Sequence, residues 1–168
     1  MPDTSTEVAL ATTTLGSAAA SISFSSISSA YTDLRVVLTA LGDATALGYD
    51  LRSRINGDTA TNYSRTYIAG SGSAASSSRV TSQTYITATQ NAGLSTTIPS
   101  LFTFDYFSYA GSTNKSLLLT SSQDQNGSGD VNRQVALWRS TSAITSVSFF
   151  PQTGNFAAGT TATLYGIL

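Results

Sequence analysis

Apolar and polar side chains alternate along most of this chain, and short turn sequences interrupt the alternation. Leu34, Val36 and Leu38 occupy every second position of one such segment, and a period of two is typical of a β-strand with one buried face. Turns that contain glycine and asparagine, such as residues 56–58, separate the segments. Strands are predicted at residues 7–15, 19–25, 34–39, 49–55, 83–89, 98–109, 115–121, 131–139, 143–150 and 160–167. The pattern predicts an all-β chain, an antiparallel jelly roll or β-sandwich of about 8–10 strands.

Helical signals are confined to residues 60–68, where Tyr63 and Tyr67 have i,i+4 spacing. At most one short helix is therefore predicted, near residues 60–68. The segment Gly70–Ser78 consists of glycine, serine and alanine, and it predicts a flexible surface loop because it has nothing large to bury. Residues 19–168 are predicted to form a single jelly-roll domain, and residues 1–18 form either an N-terminal arm or its first strand.

The composition excludes several classes of chemistry. The 168 residues include no cysteine and no histidine, which excludes a Ser-His-Asp triad, a thiol nucleophile and an ordinary zinc site. Eight basic and nine acidic residues give a net charge of −1, whereas a nucleic-acid binder normally has a basic face. No apolar run approaches the roughly 18 residues of a membrane span, and Met1–Thr4 does not resemble a signal peptide. We expect a non-enzymatic protein without a cofactor that binds neither nucleic acid nor membrane.

Residues 124–130 have the only spacing that suggests a metal site. Asp124, Asn126 and Ser128 fall at alternate positions, and Asp130 follows, as oxygen ligands do in a calcium loop. The twelfth position of such a loop would be Val135, which cannot supply the required carboxylate. A hairpin turn explains the same residues, so no metal is expected here.

Residues 98–109 contain five aromatic side chains. A strand with aromatic residues on both faces is usually central in a sheet or buried at a subunit interface, and this reading is favoured over a platform that stacks sugars or bases. The predicted interface with a partner consists of Phe102, Phe104 and Tyr106 together with Val8, Leu10 and Leu15 of the N-terminal segment. The seven arginines either pair with aspartates across subunits or lie on ordinary solvated strand faces.

Several short strings of the sequence resemble those of one protein family. They are Phe24–Leu34, which ends in Tyr-Thr-Asp-Leu; Arg54–Ser64, with Asn-Gly-Asp and Asn-Tyr-Ser; Asn114-Lys115; Trp138–Val147; and Asn155–Ile167, which ends in Leu-Tyr-Gly-Ile. Together they resemble a family of small structural proteins of tailed-bacteriophage virions, over roughly residues 20–168. This chain has Ser28 where the family more often has proline.

The resemblance implies a virion protein on the exterior of the particle. The leading role is a head decoration, or cement, protein that binds the major capsid protein or other virion proteins and stabilises the assembled head by mass action. The alternative is a tail-fibre or baseplate component that contacts host surface glycans. A glycan-cleaving enzyme is ranked last, because it needs paired carboxylates and the only close pair is Asp124 and Asp130.

The resemblance also favours a homotrimer, because capsid lattices offer threefold positions. Identical interfaces are satisfied by closed cyclic symmetry without open-ended fibres. The segment Thr4–Leu15 could attach the protein by adding an edge strand to a capsid subunit. The other interpretation is that this segment is the first strand of its own sandwich.

Overall fold

The computed structural model describes residues 6–43, 50–89 and 93–168, which form twelve strands in two antiparallel sheets. None of these residues lies in a helix, so the described part of the chain contains no helix that could cross a membrane. The strands are β1 Glu7–Thr14, β2 Ile22–Phe24, β3 Asp33–Ala40, β4 Leu51–Ile55, β5 Tyr63–Gly70, β6 Ala75–Gln83, β7 Ile86–Thr87, β8 Ser100–Tyr106, β9 Lys115–Asp124, β10 Gly129–Trp138, β11 Val147–Pro151 and β12 Thr161–Ile167.

The strand order is that of a jelly roll with two inserted hairpins. The large sheet has the order β1-β12-β3-β8-β9-β10-β5-β6, and the small sheet has the order β2-β11-β4-β7. Without β5–β6 and β9–β10, each sheet keeps four strands in the order of a double Greek key. We call these eight strands the roll. The two hairpins, which extend only the large sheet, are called the wing. The predicted all-β jelly roll is confirmed.

Two local features of the sequence fall in the wing, and the prediction of a loop for one of them is wrong. At most one short helix is predicted near residues 60–68, and none forms there: Tyr63–Gly70 is the strand β5. Tyr63 and Tyr67 both face inward, because residues four apart share a face in a strand as well as in a helix. The loop expected at Gly70–Ser78 is a turn followed by β6, Ala75–Gln83. This edge strand pairs with β5 through its backbone, so it needs no large side chain. The predicted strand at 49–55 is confirmed from Leu51, whereas Tyr49 lies outside the described residues.

The core lies between the two sheets of the roll. Val36, Leu38 and Phe104 of the large sheet are completely buried against the small sheet. The Phe104 and Phe149 rings meet edge to face across the sandwich, with 4.8 Å between their centroids, a geometry that favours aromatic pairs beyond simple burial. Phe102 and Tyr106 are buried in the same core. The predicted partner interface through Phe102, Phe104 and Tyr106 is therefore corrected: β8 is central in the large sheet, so its aromatic face is covered by the chain itself.

The N-terminal segment is the first strand of the chain's own sandwich. β1 pairs antiparallel with β12 and forms one edge of the large sheet, with a bulge between Ala9 and Ala11. Leu10 and Leu15 pack against the core, and Val8 is half-buried. Partner contacts through these three residues stay predictions. Residues 1–5, which belong to the predicted arm, lie outside the described residues.

Candidate functional site

The Asn-Gly-Asp sequence of the resemblance forms a tight turn at one corner of the roll. Asn56 and Gly57 have φ values of 51° and 65°, and the Asp58 N–H donates to the Ile55 carbonyl over 2.9 Å. Asn and Gly tolerate positive φ, as expected from the sequence. The Asn56 amide donates to the Ala143 carbonyl over 2.8 Å, and its oxygen accepts the N–H of Thr145 over 2.8 Å. The side chain thus joins the turn to the segment that precedes β11.

The Asp58 carboxylate is fully engaged in the same corner. It accepts hydrogen bonds from the Ala60 N–H and the Asn62 amide, both over 2.8 Å, and from the Trp138 indole over 2.7 Å. Partial burial alone would raise the pKa of Asp58, but the hydrogen bonds from Asn62, Trp138 and Ala60 outweigh it, so the pKa lies below its usual value. A carboxylate held in this way is a structural joint between the roll and the wing.

Tyr63 completes this corner. Its hydroxyl accepts the Ile55 N–H over 3.1 Å and is completely buried. Burial raises the pKa of Tyr63 to about 12, because the phenolate is poorly solvated there. The Asn-Tyr-Ser string therefore supplies a neutral anchor for the end of β4.

The C-terminal sequence that resembles the virion family, Asn155–Ile167, also contributes to packing. The Tyr31 ring lies flat against Gly166, where an added Cβ would come within 2.5 Å of the ring. Asn155 donates to both oxygens of Asp43, over 2.7 Å from its backbone and 2.8 Å from its side chain. Phe156 is completely buried. These residues close the roll at its last strand, and they do not converge on a ligand.

The arginines find partners within the chain. Arg35 pairs with Asp105 over 2.7 Å and with Glu7 over 3.5 Å, across β1, β12, β3 and β8. Arg65 reaches inward and donates to the carbonyls of Thr87 and Thr89 over 2.9 and 3.1 Å. Lys115 is buried and donates to the carbonyls of Gly111 and Thr113. The hypothesis that arginines pair with aspartates across subunits is not needed for Arg35, whose ion pairs are intramolecular.

The four candidate metal ligands do not form one ligand set. Asp130 lies opposite Gln123 in the β9–β10 hairpin and is buried on the inner face. Asp124 is exposed and follows Gln123, so it faces the other way. Its carboxylate accepts the Asn126 N–H over 2.8 Å within the turn. Because Asp124 and Asp130 lie on opposite faces, this hairpin also does not provide the acid pair of a glycan-cleaving enzyme.

A groove of about 680 Å³ opens between the two hairpin turns of the wing. Its walls are the β5–β6 turn at residues 70–73 and the β9–β10 turn near residues 127–129, and Leu101 and Val131 form an apolar floor. Among the described residues that line it there is no aromatic side chain. The groove therefore has no ring on which a sugar could stack.

The outer face of the large sheet is divided into two chemically different halves. Over β1 and β12 it presents threonines that pair across strands, with 3.0 Å between the Thr12 and Thr163 hydroxyls and 3.2 Å between those of Thr14 and Thr161. Beyond β3 it presents large aliphatic side chains that are 51–63% exposed. We call this second surface the aliphatic face, and it consists of Ile68, Leu101, Val131 and Val135.

The inward side of the wing is polar near the β9–β10 turn, whereas toward the other end of these strands Leu117, Leu119 and Trp138 are buried in the core. Gln134 donates to the Ala88 carbonyl over 2.7 Å, and Gln123 donates to the Ile98 carbonyl over 3.2 Å. Asn132 is 0% exposed, and neither atom of its amide has a hydrogen-bond partner. In the part of β10 nearest the turn, Asp130, Asn132 and Gln134 therefore point inward and Val131 and Val135 point outward.

The aliphatic face is the feature that the sequence prediction missed. β10 alternates as the prediction requires, but alternation does not say which set of residues is buried. The polar set here supplies the amide donors that bond the carbonyls of Ala88 and Ile98.

Comparison of this chain with protein-family models, with curated proteins and with solved structures finds no match.

Proposed function

We propose that this chain is a non-enzymatic structural protein of a tailed-bacteriophage particle, and that it decorates the exterior of the head by binding the major capsid protein. The observation that carries this proposal is the position of the residues shared with the virion family. The hydrogen bonds of Asn56 and of the Asp58–Trp138 pair join strands that are far apart in the sequence. Gly166 leaves the space that the Tyr31 ring occupies. The likeness therefore concerns the residues that build the jelly roll as a whole.

The outer face of the large sheet supports the decoration role over the tail-fibre alternative. It is eight strands wide, and its exposed aliphatic side chains are typical of a surface that binds another protein. Glycan recognition commonly uses exposed aromatic rings, whereas four of the five aromatic residues at 98–109 are buried and Phe107 alone among them is exposed. The geometry thus favours contact with protein over contact with sugars.

A homotrimer on the head remains part of the proposal. β1 is an edge strand whose second edge has no neighbour in the strand order of the described residues. Such an edge offers main-chain donors and acceptors to a neighbouring subunit. The test is sedimentation of the full chain at micromolar concentration: a trimer is expected, and a monomer would remove this part of the proposal.

The decoration role is tested on virions that contain the chain. Its copy number is measured by quantitative mass spectrometry against the major capsid protein, and its position is found by immunogold labelling. We expect a copy number comparable to that of the capsid protein and label on the head. A copy number that is a small fraction of the capsid protein, with label on the tail, would support the fibre or baseplate role and contradict decoration.

A second experiment tests whether the chain stabilises the head. Heads that lack the chain are heated with and without the purified protein, and release of DNA is followed. A ligand that binds only the assembled shell raises its stability with increasing concentration. We expect release to shift to higher temperature, and an unchanged release curve at saturating protein would contradict the cement function.

A further inference from the structure

The aliphatic face is organised together with two arginines. Within the sheet, Arg133 lies between Ile68 of β5 and Thr120 of β9, and Val135 lies between Thr66 and Leu118. Arg79 of β6 lies opposite Thr66. These side chains share the outer surface because all are in register across neighbouring strands. Aliphatic and guanidinium groups therefore lie side by side on one outer surface of the sheet.

The two arginines are held by neutral hydroxyl groups. Arg133 donates to the Thr120 hydroxyl over 2.5 Å, and Arg79 donates to the Thr66 hydroxyl over 3.2 Å. Both ion pairs found among the described residues belong to Arg35. A guanidinium has five N–H donors in a planar fork, so a single hydroxyl leaves most of them for a carboxylate of another molecule. Each threonine hydroxyl orients its arginine guanidinium without neutralising the positive charge.

We infer that the aliphatic face, together with Arg79 and Arg133, is the surface through which this chain docks on the capsid protein, and that the contacting capsid surface is apolar with carboxylates opposite the two arginines. This inference rests on the proposed function. Arginine is favoured at interfaces because it pairs bidentately with carboxylates and is weakly hydrated. The face thus provides an apolar centre and two directional charges.

The charges argue against a second copy of the chain as the occupant. A twofold contact through this face would place the two guanidinium groups of one copy and the two of the other in one interface. Like charges would then be buried together. Asp124 lies at the hairpin tip beside the groove, where one of its carboxylate oxygens accepts the Asn126 N–H, so a second copy would offer one acidic side chain against two arginines. Complementarity therefore favours an acidic surface on a different protein.

Matched substitutions on one outer face test the inference. Ile68 and Val37 lie in the same row across the sheet, separated by Thr103, Thr120 and Arg133. Binding to heads that lack the chain is measured by cosedimentation for the wild type and for Ile68→Asp, Arg133→Glu and Val37→Asp. We expect Ile68→Asp and Arg133→Glu each to raise Kd by at least about tenfold, and Val37→Asp to leave it within about twofold.

Salt dependence and folding controls complete the experiment. Binding of the wild type should weaken as salt rises, and Arg133→Gln should reduce that dependence, because a charge pair is removed. The melting temperature of each variant reports whether it is folded, and Ile68→Ser replaces Ile68→Asp if the aspartate unfolds the wing.

The possible outcomes separate the inference from the proposed function. If the wild type binds heads and the Ile68 and Arg133 variants bind equally well, the docking surface is wrong and the decoration role stands. If the wild type does not bind heads, both fail. If the wild type self-associates and Ile68→Asp abolishes the association, a second copy occupies the face and the inference of an acidic partner is overturned.

Discussion

The roll and the wing share one sheet, but near the hairpin turns of the wing the apolar side chains are distributed differently. In the roll, Phe104 points inward and paired threonines lie on the outside. Near the β9–β10 turn of the wing, Asn132 points inward and Val135 points outward, whereas the other end of the wing adds Leu117 and Trp138 to the core. Burial of apolar surface stabilises the folded state, so it accounts for the roll and for that end of the wing. It does not account for the exposed aliphatic side chains near the turns, and this difference indicates that the turn end of the wing provides a surface.

The comparison predicts unequal sensitivity to truncation. Phe104→Ala, in the middle of the roll, should lower the free energy of unfolding by about 3–5 kcal/mol, because it removes a buried ring and leaves a cavity. Val135→Ala, on the aliphatic face, should change it by no more than about 0.5 kcal/mol. Urea unfolding of both variants measures the difference. Equal destabilisation would show that the aliphatic face is buried to the same extent as the core.

The second prediction concerns the corner where the wing joins the roll. Asp58→Ala should destabilise the protein by about 1–3 kcal/mol, because the buried Trp138 indole N–H loses its acceptor. Asp124→Ala removes a comparable hydrogen bond within an exposed turn, and it should have a smaller effect. Because hydrogen bonds hold the pKa of Asp58 below its usual value, its contribution should disappear as pH falls through that lowered pKa. Denaturation at pH 7 and pH 3 compares the two variants.

The third prediction uses a wing residue that is anchored to the roll. The folded-state pKa of Tyr63 is about 12, above the roughly 10 of an exposed tyrosine, so the unfolded state loses this proton first. The contribution of Tyr63 is therefore complete below pH 10 and decreases by up to about 1.4 kcal/mol per pH unit as pH rises toward 12. The slope of unfolding free energy against pH should be shallower in Tyr63→Phe. Identical slopes would mean that the hydroxyl is not buried as described.

The smallest effect is expected beneath the wing. Asn132→Leu should raise the free energy of unfolding by about 1 kcal/mol, because the Asn132 amide is buried without hydrogen-bond partners and an apolar group removes its desolvation penalty. Gln134→Leu is the matched control, and it should destabilise because it leaves the Ala88 carbonyl without its donor. Thermal unfolding of the two variants checks the sign. A destabilised Asn132→Leu protein would indicate a hidden polar partner for the amide.

The roll was predictable because its sequence signals agree with one another. The alternation at Leu34–Leu38 places the apolar set inward, and the Asn56-Gly57 turn adopts the positive φ that its residues favour. The wing was not predictable in the same way. Its spacing at Tyr63 and Tyr67 fits a helix and a strand equally well, and the small residues of β6 carry no hydrophobic signal. Its strands are stabilised by pairing with partners far along the chain, which local periodicity does not reveal.

The candidate surface was missed for a related reason. The sequence indicates which residues alternate in β10, but the choice between its two faces depends on backbone groups that are distant in the sequence. Gln134 and Gln123 donate to the carbonyls of Ala88 and Ile98, and these bonds favour the arrangement in which Val131 and Val135 face outward. The aromatic residues of β8 led to the opposite error, because a strong apolar signal was assigned to a partner when the small sheet of the same chain already covered it.

The connectivity of the wing has a consequence for the order of folding. The β5–β6 hairpin joins the large sheet only through β10, in which Ala136 pairs with Arg65. β5 and β6 are thus completed in the sequence well before the strand that receives them, while β9 and β10 can dock directly on β8. Closing such distant pairs is slow. During synthesis the β5–β6 hairpin is therefore an isolated two-stranded unit, which is marginally stable alone. It can join the large sheet once the β9–β10 hairpin has formed and provides the edge of β10.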